Sequence, residues 1–385
     1  MTGAAVSVRA CAVGRLRLYR FRNYLETTVR LGPSLNVISG RNAQGKTNLL
    51  EAVATLTLTR SPRTSSAIDL MHWGDEQCLV EAAVSRPEGD SVLAVRFARA
   101  PDTARVSRAT SVDGKPCPAR RVLGICPVVL FWPEDLQLVK AGPEGRRRLL
   151  DGLLNQLDPR ASAHLLRYRR ILEQRNALLH RMRADGHGGA ALPGFTRELA
   201  HHGARVAVAR ARLVTQLAPL AATALDELSS GGERLGLAYA PSYDGACSDD
   251  DETEGALNAA LQDRRAEELA RGVTVVGPHR DDIAITLDGR VARTAASQGQ
   301  QRSIVLACKL AEMRYVAQST GTAPVVMLDD VLSELDPERR SHLLALLATG
   351  AAGQVLITTA EPLQGLDGFA GARRYTVQSG TVEET

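Results

Sequence analysis

The chain has 385 residues, enough for one large or two medium domains with an ample buried core. Apolar residues make up 44% and charged residues 23%, and no run approaches the ~20 apolar residues that span a bilayer. A disordered chain and an integral membrane protein are both excluded on this reading. The formal net charge of +4 is modest, but only four of the 47 basic residues are lysines (Lys46, Lys115, Lys140 and Lys309) and the other 43 are arginines. Arginine suits phosphate recognition, and a GC-rich coding sequence produces the same bias. A lysine kept against that bias points to a need for an amine. The six cysteines form no C-x-x-C pair, and the N-terminus lacks a basic segment followed by an apolar stretch. Reduced thiols in a cytoplasm are therefore expected, with no zinc site and no secretion.

Alternation of Leu16, Leu18 and then Val29, Leu31 predicts an antiparallel pair around the turn Phe21-Arg22-Asn23-Tyr24. The apolar run from Leu35 to Ile38, a Gly-rich stretch, and then Leu49, Leu50, Val53 and Leu56 at helical spacing read as strand, loop and helix. Alternation returns from Gln77 to Ser111 and closes on the hairpin pair Asp113-Gly114. A further strand over Val128 to Phe131 is ended by Pro133, with Glu134 and Asp135 as helix caps or ligands. From about 145 to 225 the sequence turns Leu, Ala and Arg rich and predicts several helices, broken at Asp185 to Gly189 and stopped at Ser229 to Gly232. The acidic run Cys247 to Glu254 reads as a solvated loop. From Val273 onward α/β character resumes. The fold class expected is α/β, a split domain over 1–145 and 272–385 with an inserted, mainly helical domain over 146–271.

Gly40-Arg41-Asn42-Ala43-Gln44-Gly45-Lys46-Thr47 fits the phosphate loop G-x-x-x-x-G-K-[ST] and lies between a predicted strand and helix. Its backbone N–H groups and the helix N-terminus suit the β- and γ-phosphates of ATP, Lys46 their neutralisation, and the Thr47 hydroxyl a Mg²⁺ ion. Asn48 is counted with this nucleotide-binding set. The run Pro324 to Leu328 ends in Asp329 and Asp330. Asp329 is a second Mg²⁺ ligand on this reading and Asp330 polarises the attacking water; a helix cap is the alternative for two adjacent acids. Because 283 residues separate Lys46 from Asp329, the two halves of the chemistry flank a large insert.

Ala296-Ser297-Gln298-Gly299-Gln300-Gln301-Arg302 precedes a helix-periodic run that leads to the carboxylates. Ser297 as N-cap, the Gly299 backbone, Gln300 and the helix dipole would form a second phosphate cradle, or simply a cap. Leu228-Ser229-Ser230-Gly231-Gly232-Glu233 looks more like an ABC signature, but lies 100 residues before Asp329 and is followed by strand-like alternation. Turn plus strand is the reading taken for it. Ser333 to Asp336 followed by Pro337 resembles a D-loop, and Thr358-Thr359 stands where ABC transporters usually carry a histidine.

Taken together, Phe21 to Tyr24, the phosphate loop with Asn48, Pro133 to Leu136, Arg147-Arg148 with Asp151, Gly277 to Asp282, Ser297 to Arg302 and Leu328 to Asp336 resemble the RecF family. The resemblance implies an ABC-type P-loop ATPase domain of mixed sheet with an antiparallel β-subdomain, plus the helical insert. It also implies an ATP- and Mg²⁺-dependent homodimer with weak DNA-dependent ATPase activity, in which Ser297 reaches the γ-phosphate held by the partner subunit. Such a dimer would act in DNA replication and repair, binding duplex DNA at single-strand gaps and junctions and loading RecA together with RecR and RecO. Arg146 to Arg148 and the arginines from Arg167 to Arg175 are candidates for DNA phosphates. Ala43 departs from the family's usual glycine, costing about 1 kcal/mol if the position needs φ > 0. Gly277 to Asp282 has no derivable chemistry: His279, Asp281 and Asp282 suit a metal or loop caps equally. The alternatives carried are the nucleotide-binding subunit of an ABC transporter and a non-hydrolytic DNA-binding module.

Overall fold

A computed structural model describes residues 9–100, 105–185, 189–229, 232–348, 352–361, 366 and 369–385. The chain forms two compact units, one of Met1–Asp135 with Lys309–Thr385 and one of Leu136–Cys308. The crossings fall at 135/136 and 308/309, against the 145/146 and 271/272 expected from composition. The second unit takes in a small antiparallel sheet of Leu235–Ala240, Asp282–Leu287 and Arg290–Val291, the last two of which lie in the 272–385 segment expected to belong to the other domain.

In the first unit a six-stranded sheet runs Thr381–Glu384, Arg373–Gln378, Leu35–Ser39, Val355–Thr359, Val325–Asp329, Val128–Phe131. The last five strands pair in parallel and Thr381–Glu384 joins antiparallel. Val325–Asp329 and Val355–Thr359 are buried at every position. Unbroken apolar runs of this kind belong to strands covered on both faces. A second, antiparallel six-stranded sheet begins with Tyr24–Arg30, Ala12–Phe21 and Gln77–Ser85. Gln77–Ser85 alternates buried and half-buried residues, as period-2 side-chain placement requires of a sheet with one core face.

Helix Lys46–Leu58 packs against strands of both sheets. Ten of its 13 residues are buried, which is how a helix covered on nearly all sides reads. The sheets are also stitched by the buried Gln354 amide. Its Oε1 accepts from the Val13 N–H at 2.9 Å, and its Nε2 donates to the carbonyls of Val13 and Gly32 at 2.8 and 2.6 Å. Val13 lies where the register of its strand shifts, so backbone groups freed by that irregularity are satisfied by a side chain. The hairpin at Asp113-Gly114 is present, with φ of 52° and 72°, the paired positive values of a two-residue turn.

The second unit carries the helices Pro143–Leu157, Pro159–Asp185, Leu192–Ser229, Asp250–Asp263 and Arg265–Arg271. The acidic run expected as a loop is instead a helix start. Asp249 accepts from the N–H groups of Asp251 and Glu252, and Asp250, Asp251 and Glu252 occupy the first turn. Carboxylates there cap the free donors and oppose the positive end of the helix dipole. Of the breaks expected at Asp185 to Gly189 and Ser229 to Gly232, residues 186–188 and 230–231 lie outside the described residues, and the flanking helices end at Asp185 and Ser229.

The segment Gly277 to Asp282 is the knot of this unit. His279 accepts from the Tyr168 hydroxyl at Nδ1 (2.6 Å) and donates from Nε2 to the Thr274 carbonyl (3.1 Å). Both ring nitrogens are thus engaged, which leaves no donor for a metal. Among the described residues no group of three or more His, Cys, Asp or Glu side chains is placed to hold one. Asp281 accepts from the Tyr239 hydroxyl and the Ser242 N–H. Asp282 receives a two-pronged bond from Arg146 at 2.6 and 2.9 Å.

Two of the arginines expected to meet DNA phosphates are therefore interior ones. Arg146 is buried on Asp282, and Arg175 is 1% exposed, bonded to Glu268 at 2.6 Å and Thr274 at 2.7 Å. Arg147 donates to the Asp281 carbonyl and Arg169 to Asp151. Arg148, Arg167 and Arg170 remain exposed. All six cysteines are free thiols, and no helix among the described residues is long and apolar enough to cross a membrane.

Candidate nucleotide site

The phosphate loop joins strand Leu35–Ser39 to helix Lys46–Leu58. Gly40, Ala43 and Gly45 have φ of 151°, 65° and 117°, so the loop turns through conformations that disfavour a Cβ. A Cβ on Gly40 would meet the Val377 carbonyl oxygen at 2.4 Å, and one on Gly45 the Asn23 amide at 2.5 Å. Ala43 occupies the left-handed region anticipated for it, with its methyl exposed. Arg41 and Asn42 are also exposed, and the loop presents its rim to solvent.

Several contacts hold this loop from behind. Asn23 donates to the Gln44 carbonyl at 3.0 Å and accepts from Asn48 at 2.8 Å, and the Tyr24 hydroxyl donates to the Gly45 carbonyl at 2.9 Å. The Gln44 side chain accepts from the Ser379 N–H at 2.8 Å. Asn48 also accepts from Arg63 at 3.1 Å, so its amide is committed to the scaffold at both ends. Beneath it the fully buried Glu51 carboxylate binds Arg22 at 2.9 and 2.7 Å, Arg63 at 2.9 Å and Ser61 at 2.6 Å. A buried carboxylate met by this many donors is the condition under which a buried charge is tolerated.

Lys46 curls over the loop, donating to the carbonyls of Gly40 at 2.6 Å and Arg41 at 3.0 Å. Burial lowers its pKa, and the nearby Asp330 and Asp329 work against that. Asp329 ends the adjacent strand. Its Oδ1 accepts from the Thr47 hydroxyl at 2.9 Å and from the Thr358 hydroxyl at 2.7 Å. Burial raises the Asp329 carboxyl, and the two hydroxyls hold it back. Asp330 is half-exposed with φ of 52°, its N–H donating to Thr358 Oγ1 at 3.0 Å. Thr358 therefore holds the Asp329 carboxylate and the backbone of Asp330, a role its position at the strand end had not disclosed. The hydroxyl of Thr47 and the carboxylate of Asp329 form the hard oxygen pair that suits Mg²⁺.

Ser297, Gly299 and Gln300 belong to the other unit, at the start of helix Gln298–Thr320. The Ser297 N–H donates to Gln300 Oε1 at 2.7 Å, and the Gln300 N–H donates to Ser297 Oγ at 3.3 Å. This is a reciprocal capping box. The Gln300 amide also donates to Glu233 at 2.8 Å. The segment set aside as a false signature thus supports the chosen one, and strand Leu235–Ala240 follows it. After Asp330, Ser333 donates to the Asp330 carbonyl at 2.6 Å. Asp336 caps helix Pro337–Leu346, with Pro337 in its first turn, where its missing N–H costs nothing.

The family model for the RecF/RecN/SMC N terminal domain matches residues 12–366. A DNA replication and repair protein RecF from Symbiobacterium thermophilum is 41% identical over 369 residues, covering 95% of this chain and 96% of that protein. The chain belongs to the RecF family. A second RecF, from Chloroflexus aurantiacus, is 40% identical over 96% of this chain and 99% of its own length. Among solved structures, one described as the recombination mediator protein RecF-ATPrS in the RecFOR pathway superposes with a TM-score of 0.88. It is 30% identical and covers 99% of this chain and 100% of that one. The Smc head domain of Pyrococcus furiosus, 14% identical with a TM-score of 0.56 over 97% of this chain and 96% of that one, shares the fold. The architecture is thus the ABC-type ATPase fold of RecF and Smc heads, and family membership removes the transporter alternative.

Proposed function

We propose that this chain binds ATP with Mg²⁺, pairs with a second copy of itself, and in that state holds duplex DNA near single-strand gaps. The observation that carries the reading is the bond between Thr47 and Asp329, 282 positions apart, which unites the phosphate loop and the carboxylate strand in one preorganised pair. Gly40 to Thr47 would cradle the phosphates with their N–H groups. Lys46 would exchange its two carbonyl partners for phosphate oxygens. Thr47 and Asp329 would hold Mg²⁺, which when bound neutralises charge on the β- and γ-phosphates. Asp330, half-exposed beside Lys46, would polarise the attacking water. Ser297, Gly299 and Gln300 would close the site of the partner copy, their capped helix N-terminus favouring negative charge.

Slow hydrolysis would then release the DNA. In this reading the chain acts with RecR and RecO in loading RecA in the cytoplasm; a relative described as a recombination mediator in the RecFOR pathway supports the partnership with RecR and RecO. The test is mass by light scattering for wild type, Lys46→Ala and Ser297→Arg, each with and without ATP-Mg²⁺, followed by duplex binding on the same samples. Doubling of mass and gain of DNA affinity in wild type alone is the expected result. Dimerisation of all three to the same extent overturns the composite site. Equal ATP turnover by wild type and Asp330→Asn would remove Asp330 from the mechanism, and absence of turnover in both would leave a non-hydrolytic DNA-binding module as the reading.

A further inference from the structure

Lys309 is one of four lysines in the chain, and no step of the proposed chemistry uses it. It is 5% exposed, and its ammonium lies 3.2 Å from Asp135 and 3.2 Å from Glu312. Glu312 is one helical turn further along the same helix and 6% exposed. One cation and two acids form an unbalanced set in which Asp135 is half-buried and the burial of Lys309 and Glu312 is opposed by their desolvation. Burial tends to lower the lysine and raise Glu312. The two acids outweigh it at the lysine, which is held above its ordinary range. Sites of this kind specify an arrangement more than they add stability.

The position of the triad is its informative feature. The chain leaves the first unit at Asp135 and returns to it at Lys309, and these two residues are the ion pair. Asp135 follows strand Val128–Phe131, whose Phe131 pairs with Leu328 next to Asp329. Its second task is to accept the Trp132 N–H at 2.9 Å, which fixes the turn leaving that strand. Lys309 lies in helix Gln298–Thr320, 12 residues or about 18 Å of helical rise beyond Ser297. One ammonium therefore ties the exit of the strand beside the carboxylates to the helix that Ser297 caps.

We propose that Lys309 is a positioning residue, holding helix Gln298–Thr320 to the Trp132–Asp135 turn so that occupation of the nucleotide site is felt at Ser297 and closure of the dimer follows. This rests on the composite-site reading above. It assigns Lys309 a task that rests on its positive charge and that a neutral side chain could not perform.

Trp132 provides the probe. It is 9% exposed, its indole N–H is buried without a hydrogen-bond partner among the described residues, and the chain's other tryptophan, Trp73, is 96% exposed. In a Trp73→Phe background, ATP-Mg²⁺ is titrated against Trp132 emission, nucleotide affinity and mass by light scattering for Lys309, Lys309→Met, Lys309→Arg and Asp135→Asn. The expected result is unchanged ATP affinity, with the emission response lost in Lys309→Met and Asp135→Asn. The ATP needed for half-dimerisation should rise by ~5- to 150-fold, the usual range of coupling between sites, and Lys309→Arg should restore both. Dimerisation and emission in Lys309→Met equal to those with Lys309 overturn the proposal. So does a loss in Lys309→Met that Lys309→Arg shares while Asp135→Asn behaves normally. Failure of the Lys309 form itself to dimerise while its Trp132 emission responds to ATP sinks the composite site alone. An emission response that survives Lys309→Met sinks the positioning role whether or not dimers form.

Discussion

Ala43 shows what one methyl group does in a tight loop. Its φ of 65° puts an alanine where glycine carries no steric penalty, at a cost of about 1 kcal/mol. Ala43→Gly should accordingly raise the thermal midpoint by about 2–4 °C and tighten ATP binding, both readable in one thermal-shift titration. Asp329 offers a second measurement. Burial raises its carboxyl, so the folded chain binds that proton more tightly than the unfolded one. Nucleotide-free stability should therefore fall as pH rises through the titration of this group. At pH 7 without Mg²⁺, Asp329→Asn should melt higher than wild type while losing the upward shift that ATP-Mg²⁺ gives. A lower midpoint for the variant would show that its bonds to Thr47 and Thr358 outweigh the desolvation of its charge.

Among the elements, the helical unit carries its own pH dependence. His279 is buried between Tyr168 and Thr274, and burial lowers its pKa from 6.5 to about 4, with Arg280, Arg147 and Arg175 adding to that and the Thr274 carbonyl opposing it. The unfolded chain takes up this proton near pH 6.5 and the folded chain only near 4. Stability should then be lost as pH falls through that window, by about 3 kcal/mol at 1.36 kcal/mol per unit. His279→Gln should be less stable at pH 7 but flatter between pH 6.5 and 4 in thermal melts; an equally steep profile would place the acid sensitivity elsewhere. Element types were legible where an unbroken apolar run or a single period dominated, as in Val325–Asp329 and helix Lys46–Leu58 respectively. The acidic run Cys247 to Glu254 was not, because its charge density matches a solvated loop as well as it matches the Asp249 cap and acidic first turn of a helix.

For the whole molecule, the arginine excess divides by burial. Arg146, Arg175 and Arg210 hold the second unit together through Asp282, Glu268 and Asp151, while Arg148, Arg167 and Arg170 face solvent. If an ATP-bound dimer neutralises about six phosphates, log K against log salt should have a slope of about −5. A slope near zero in a fluorescence-anisotropy series over 50–200 mM salt would exclude backbone contacts as the source of affinity. Reversing the exposed arginines should reduce the slope, whereas Arg146→Ala should act on the thermal midpoint, since it strands Asp282.

By itself the sequence determined the phosphate loop, the carboxylate strand and the capped helix at Ser297, because each is a contiguous motif whose geometry is set within a few residues. It also disclosed, through the 283 positions from Lys46 to Asp329, that the parts flank an insert. Tertiary structure alone decided that Asn23 and Tyr24 brace the loop, that Thr358 holds the Asp329 carboxylate and the Asp330 backbone, that Glu233 supports Gln300, and that Lys309 meets Asp135. Partners such as Arg175 and Glu268, or Asp329 and Thr47, lie 93 and 282 positions apart. No local pattern specifies such a register; it is set by which buried charges find enough donors once the sheets and helices have packed.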